Sequence, residues 1–386
     1  MDQLPRPRPL RLLHLALRPV EGAELRPLPE PAGRRRPGGG APHRRPGRAE
    51  EALRRVLADP DGGRALRLPL LPPAGVRHAA GLRGVRPNPR VRRDLPVDEG
   101  GALDREVTPV NGTALHVESA GEGDPCLCLH GGPGTDASGL ARSLGPLAAP
   151  LGLRLVFYDH RGHGRSEWVP VEECTQDQLV ADVEGVRQAL GLGPVHVLGI
   201  SWGGFLGLMY AARHPGSVRA LAVVGAAASR EFMARAEANA RRRATPPQWA
   251  AYRALWDGSL ADDEAYRRAF ETIRPLYFHD GRLAAAANAA RAATRYRVAV
   301  RNFLIHHEYA RYDCRGELGR ISCPTLVMVG RHDWICPVDQ AEEIHRLIPH
   351  SELEVFEGSG HSPQVEEPDA FVRRLRAFLA GPRPGA

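Results

Sequence analysis

The chain has 386 residues and carries 52 basic against 45 acidic side chains, a formal charge of +7 with a pI of about 9.4. That balance points first to nucleic acid or a membrane surface. The charge is unevenly placed, however: residues 1–100 hold 21 Arg against 11 acids (+10), and residues 101–386 hold 31 Arg against 34 acids (−3).

The first hundred residues also contain 17 of the 35 Pro, none of the 22 aromatic residues, no Cys and no Ile. Such a segment cannot bury enough apolar surface to offset the entropy of ordering it. A disordered Arg/Pro-rich tail is expected over 1–100, with a short helix at Ala49–Leu57. Two readings of the tail compete. It binds an acidic polymer, or it is an upstream stretch translated from a wrongly chosen start. The lack of aromatic residues for stacking on bases favours the second. The remaining residues are numerous enough for a sizeable core, and their composition argues against a nucleic-acid-binding fold.

Every basic residue is Arg. Schiff-base chemistry and a phosphate-loop Lys are thereby excluded. The six Cys form no CxxC pair, which suits reduced thiols in a cytoplasmic protein. The apolar stretch Leu10–Leu17 is broken by Arg11 and His14, so it is a poor secretory signal. No apolar run reaches the roughly 18 residues of a membrane span.

Regular patterning begins near Leu103. Val107–Val110 and Thr113–Glu118 read as strands around the turn Asn111-Gly112. Pro125–His130 is an apolar strand that runs into a Gly-rich loop, and Arg154–Asp159 is another. Thr175–Leu190 has helical periodicity behind a Thr-x-x-Gln capping box at Thr175 and Gln178. Strand Val195–Ile200, helix Trp202–Arg213 and strand Val218–Gly225 follow. From 229 to 312 the strand signals stop and helix formers dominate, as in Ala284–Val300. Strand–helix alternation resumes at Pro324–Gly330, Val338–Leu347, Glu352–Phe356 and Pro368–Leu379. This alternation implies an α/β fold, with a mostly parallel sheet and helices on both faces. Residues 101–228 and 313–381 would form the core, 229–312 a helical cap over the site, and 382–386 a short tail.

The strongest chemical signal is Gly199-Ile200-Ser201-Trp202-Gly203, a G-x-S-x-G between a strand and a helix. Small residues permit a sharp turn that lifts the Ser201 hydroxyl clear of the backbone. A serine nucleophile needs a base, and the base an orienting acid. In this architecture they follow in the order Ser, acid, His. Asp333 lies just past the strand Pro324–Gly330, and His361 just past Glu352–Phe356. Both therefore sit at the same sheet edge as Ser201. Asp339 is the fallback acid; His332 and His345 are the rival bases, though neither follows the last strand. The oxyanion requires two backbone N–H donors. Trp202, after the nucleophile, supplies one, and Gly132 in His130-Gly131-Gly132-Pro133-Gly134 is the best placed for the other. Such a site needs no metal and no cofactor.

Together HGGPG at His130–Gly134, the D-x-R-G-x-G-x-S run Asp159–Ser166, GISWGG at Gly199–Gly204, GRHD at Gly330–Asp333 and Gly360-His361 resemble the α/β-hydrolase fold. More narrowly they resemble the proline iminopeptidase (prolyl aminopeptidase) group of serine peptidases, over roughly residues 104–380. The resemblance implies a cap glutamate that holds the substrate's free amino group. Glu308 is similar to one such residue by its place at the cap's end, and Glu271, Glu264 and Glu237 stay open for a second. Gly131 is the other substrate-contact candidate. Trp249, Trp256, Tyr277 and Phe278 are candidates for an apolar pocket wall, and His163 for its lining. Asp159 and Arg161 are expected to brace their turn. The favoured function is release of an N-terminal residue, often Pro, from short peptides through an acyl-enzyme. Small esters or lactones are the alternative substrates, and binding of an anionic polymer through the tail is the alternative of another class. No nucleic-acid or membrane partner is expected for the folded part.

Overall fold

The computed structural model describes residues 104–381. The expected tail over 1–100, its helix at Ala49–Leu57 and the residues 382–386 lie outside the described residues.

Two extended segments open the described chain, β1 (Asp104–Val110) and β2 (Thr113–Ala120). They pair antiparallel, with Val110 opposite Thr113. Asn111 and Gly112 join them at φ of 45° and 81°. A two-residue hairpin turn needs positive φ at both positions, which Asn and Gly adopt most cheaply. β3 (Asp124–Leu129), β4 (Leu153–Tyr158), β5 (Val195–Ile200), β6 (Val218–Val224), β7 (Thr325–Gly330) and β8 (Ser351–Phe356) complete one sheet. Its order is β1-β2-β4-β3-β5-β6-β7-β8. The pairings from β4 to β8 are parallel. β5 and β7 are buried along their whole length, as their largely apolar sequences favour, with His196 and Thr325 the buried polar members.

Helices cover both faces. On one face Gln176–Ala189, Trp202–Arg213 and Val338–Leu347 contribute Leu179, Val183, Phe205 and Ile344 to the core. On the other, Ser138–Leu144 and Pro368–Leu379 contribute Leu144, Phe371 and Leu375. Each such side chain stabilises the fold by about 1.5–3 kcal/mol relative to exposure. The chain leaves β3 for β4 on one side and returns to β5 on the other. The order therefore reverses at the carboxyl ends of β3 and β5, where open α/β sheets form their ligand crevice.

Thr175 caps its helix through a 3.2 Å bond from the Gln178 N–H to its hydroxyl. The Gln178 amide nitrogen donates to Asp182 Oδ1 at 3.2 Å, and no return bond from the Thr175 N–H to the Gln178 side chain completes the expected capping box.

Between β6 and β7 the described chain is helical: Phe232–Arg243, Pro246–Trp256, Asp263–Ile273, Leu283–Ala290 and Val298–Phe303, then a π-turn at Leu304–Glu308. A lone bridge pairs Ser229 with Asp313 at its base. The helix-forming stretch Ala284–Val300 is divided between two of these helices. The Arg295 N–H donates to Asp136 Oδ2 at 2.8 Å, and the Arg297 N–H to the Gly134 carbonyl at 2.7 Å. Backbone donors that would have continued the helix are thus taken by the loop after β3.

Candidate active site

β5 ends at Ile200 and the next helix begins at Trp202, so Ser201 makes the entire turn. Its φ of 55° and ψ of −123° are strained for a residue with a side chain, at a cost of about 1–3 kcal/mol. The surroundings enforce that geometry. The Ser201 N–H donates to the Val224 carbonyl at 2.8 Å. A Cβ on Gly203 would stand 2.0 Å from the Leu129 carbonyl oxygen, so only glycine lets the helix press against the end of β3.

Asp333 and His361 come from the loops after β7 and β8. His361 Nδ1 lies 2.7 Å from Asp333 Oδ2, with both side chains buried. The other carboxylate oxygen accepts the backbone N–H groups of Ile335 (2.9 Å) and Cys336 (3.0 Å). Those two bonds fix the carboxylate, and the carboxylate fixes the ring with Nε2 as its remaining nitrogen. The helical insertion also grips this loop. The His361 N–H donates to the Tyr277 carbonyl at 2.7 Å. Glu366 accepts from the N–H groups of Gly360 (2.7 Å) and His279 (2.6 Å). Burial pushes the Glu366 carboxyl up to about 7.

Ser201 and His361 line one pocket together with His130, Gly131, Gly132 and Thr135. A Cβ on Gly131 would stand 2.8 Å from the Ser201 Cβ and from the Ile200 carbonyl oxygen, which explains the glycine there. The Gly131 carbonyl accepts from Thr135 Oγ1 at 3.2 Å and lies 3.1 Å from His130 Nδ1. Across that trans peptide the Gly132 N–H points away from both groups. Trp202 is the first helical residue, where the N–H has no acceptor within the helix.

Behind Trp202 lies a buried group of rings. His163 stacks on Trp202 with centroids 5.5 Å apart, and His160 stands edge-on to Trp202 at 5.2 Å. His130 tilts against His160 at 4.1 Å. Burial holds all three imidazoles below their ordinary range, His163 at about 3, and their mutual proximity adds to the effect on His160 and His163. The folded state therefore keeps them neutral, whereas in the unfolded chain they take up protons near pH 6.5. Their stabilisation is fully present above about pH 6.5 and is lost as pH falls toward the folded values. The slope is at most about 1.4 kcal/mol per pH unit for each. Glu366 acts in the opposite sense between its unfolded value and about 7, one group against three. The urea midpoint should drop between pH 7.5 and pH 5; an unchanged or rising midpoint would count against a neutral cluster.

The neighbouring loop is braced as expected. Asp159 accepts from the N–H groups of Ala137 and Arg165, both at 2.8 Å, and Arg161 makes two 2.8 Å bonds to Asp182.

The sequence pattern of a known family covers most of this fold. The family described as "alpha/beta hydrolase fold" matches residues 124–368. The chain belongs to the α/β-hydrolase family. This α/β hydrolase is 31% identical over 284 residues to proline iminopeptidase PfmaB of Pestalotiopsis fici, covering 71% of this chain and 99% of the relative. It is 32% identical over 290 residues to the proline iminopeptidase of Neisseria gonorrhoeae, covering 67% and 89%. Among solved structures it superposes on the proline iminopeptidase of Mycobacterium smegmatis with a TM-score of 0.57, 25% identity and coverage of 72% and 97%. An α/β fold family hydrolase from Bacillus anthracis gives a TM-score of 0.61 at 23% identity, over 72% and 99%, a likeness of fold.

Several candidate residues of this α/β hydrolase lie apart from the pocket. Glu308 is a correction. It is 2% exposed, accepts the Gln176 N–H at 2.7 Å and pairs with Arg311. It caps the helix Gln176–Ala189 and borders a different cavity, so it is not available to hold an amine beside Ser201. Glu264 and Glu271 pair with Arg267 and Glu237 with Arg241, on the outside of the insertion. Trp256, Tyr277 and Phe278 line the pocket, but Trp249 and His163 do not. Trp249 stacks on Tyr252, with Arg241 over its ring. Asp339 pairs with Arg235, His332 stacks on His279, and His345 contacts Ser351. No cluster of His, Cys, Asp and Glu among the described residues is arranged to hold a metal ion, and no described helix is long and apolar enough to cross a membrane. Sequence reasoning missed Arg274, Arg291 and Arg301, which also line the pocket.

Proposed function

We propose that this α/β hydrolase cleaves acyl bonds through a Ser201 acyl-enzyme. The observation that carries this is the buried 2.7 Å Asp333–His361 pair facing the same pocket as a serine held at φ 55°. His361 Nε2 takes the Ser201 hydroxyl proton as the oxygen attacks the carbonyl carbon. The N–H groups of Gly132 and Trp202 stabilise the oxyanion. His361 returns the proton to the leaving group, and a water activated in the same way releases the acyl group. Asp333 keeps the proton of the imidazole on Nδ1 throughout.

Likeness to proline iminopeptidases supports short peptides with a free N-terminal residue, Pro favoured, as the substrates. A second reading, small esters, is favoured by one observation. Asp136 is the single carboxylate among the pocket-lining residues, and both its oxygens already accept from Ser138 and Arg295. Three arginines share the pocket with that one acid, a balance that disfavours an ammonium. Rates on L-proline p-nitroanilide, its N-acetyl form and p-nitrophenyl butyrate separate the two. Aminopeptidase action predicts a loss of at least about 30-fold in kcat/KM on acetylation, the scale of one lost buried charge pair. Equal rates on both anilides would reject it and leave the ester reading. Turnover of none would contradict both.

A further inference from the structure

Arg274, Arg291 and Arg301 face the pocket of Ser201 from three different elements of the insertion. Arg274 and Arg301 are 3% and 5% exposed. Elsewhere Arg161, Arg213 and Arg267 meet carboxylates at 2.7–2.8 Å, whereas the buried Arg297 has the Gly164 carbonyl and the Trp168 ring. None of the three pocket arginines has such a partner among the described residues. Arg274 reaches only the Tyr296 hydroxyl, at 3.4 Å, and lies over the Phe270 ring. Arg301 donates to the Leu255 carbonyl and lies over the Tyr266 ring. The Nε of each is buried without a partner. Arg291 packs its guanidinium against Gly139. Burial, and Arg274 nearby, lower Arg291 to about 10, so it stays charged at neutral pH in a position that disfavours charge. Asp136 offsets part of this, but it is one carboxylate facing three guanidinium groups in the same pocket.

Buried charges without partners are costly. Two such buried cations and the partly exposed Arg291, sharing one pocket beside a nucleophile, are stabilised when an anion enters. Planar guanidinium forks match a carboxylate with two parallel bonds. Phe270, Tyr277 and Trp256 make the adjoining wall, which suits a carboxylate carried on an apolar body. We propose that the Ser201 pocket takes carboxylate-bearing substrates, with Arg274, Arg291 and Arg301 holding the carboxylate. This rests on the hydrolase reading of the same site and names its substrate class. The carboxylate belongs either to the acyl part or, as in a peptide C-terminus, to the leaving group.

Two substrate pairs separate those sources. Mono-p-nitrophenyl adipate against p-nitrophenyl butyrate tests the acyl side, and prolylglycine against prolylglycinamide tests the leaving side. In at least one pair the charged member should be favoured about 30-fold or more in kcat/KM. The Arg291→Gln variant, which removes no hydrogen bond to the protein, should reduce that ratio at least about tenfold, with Arg291→Lys restoring part of it. With wild-type enzyme, hexanoate should compete with substrate far better than hexanamide. Binding of hexanoate to Ser201→Ala, read by calorimetry, needs no turnover and so stands apart from the hydrolase reading. Equal rates within both pairs, together with equal binding of hexanoate and hexanamide, would overturn the proposal while leaving hydrolysis intact.

Discussion

Asp333→Asn should lower kcat by about 10⁴-fold with little change in fold, the scale seen when the acid of a serine triad becomes an amide. The reason lies in the two oxygens of the carboxylate. One accepts from the N–H groups of Ile335 and Cys336, and an Asn carbonyl can keep both bonds. The Asn amide nitrogen then faces His361 Nδ1, 2.7 Å away, and donates to it. The imidazole proton is driven to Nε2, where a base would need its lone pair. The imidazolium formed in the transition state also loses its counter-charge. Asp339→Asn is the contrast, since Asp339 is a surface group paired with Arg235. It should leave kcat within about twofold and stability within about 0.5 kcal/mol. Steady-state rates with circular dichroism decide the matter. A mild Asp333→Asn phenotype, or a severe Asp339→Asn one, would reassign the acid.

Ser201→Ala should be more severe, about 10⁶-fold in kcat, because triad members act as a unit and what survives comes from the oxyanion donors and binding. The variant keeps a Cβ at the strained φ of 55°, so it neither gains nor loses much stability, and its melting temperature should stay close to wild type. Stopped assays at high enzyme concentration measure the residual rate. A residual rate within about a hundredfold of wild type would remove Ser201 from the chemistry.

The sheet and the turn that holds Ser201 are legible in the sequence because their signals are local. Asn111-Gly112 fixes a hairpin, and short, largely apolar runs mark the buried strands. Gly203 and Gly131 stand where a single added carbon meets backbone. Asp333 and His361 are found by position, since loops after parallel strands converge on one edge of the sheet. What fails is what depends on distant partners. The break after Ala290 is invisible locally because Asp136 and Gly134, far back in the chain, capture the backbone of Arg295 and Arg297. Glu308 is assigned to substrate because its sequence does not reveal that the N-terminus of the helix Gln176–Ala189 claims its carboxylate. Arg274, Arg291 and Arg301 go unnoticed among 52 arginines, since only the fold brings these three to one pocket with Asp136 as its single acid. The overall charge of +7 is no guide to them, because it stems from the first hundred residues.

The measurement that bears most directly on the account is peptide mass spectrometry of the wild-type protein after reaction with a fluorophosphonate, which traps the serine attacking an acyl centre. One phosphonate per chain, located on Ser201, with hydrolysis lost in proportion to labelling, is the result predicted. Label on another residue, or full hydrolysis by protein labelled at Ser201, would contradict it.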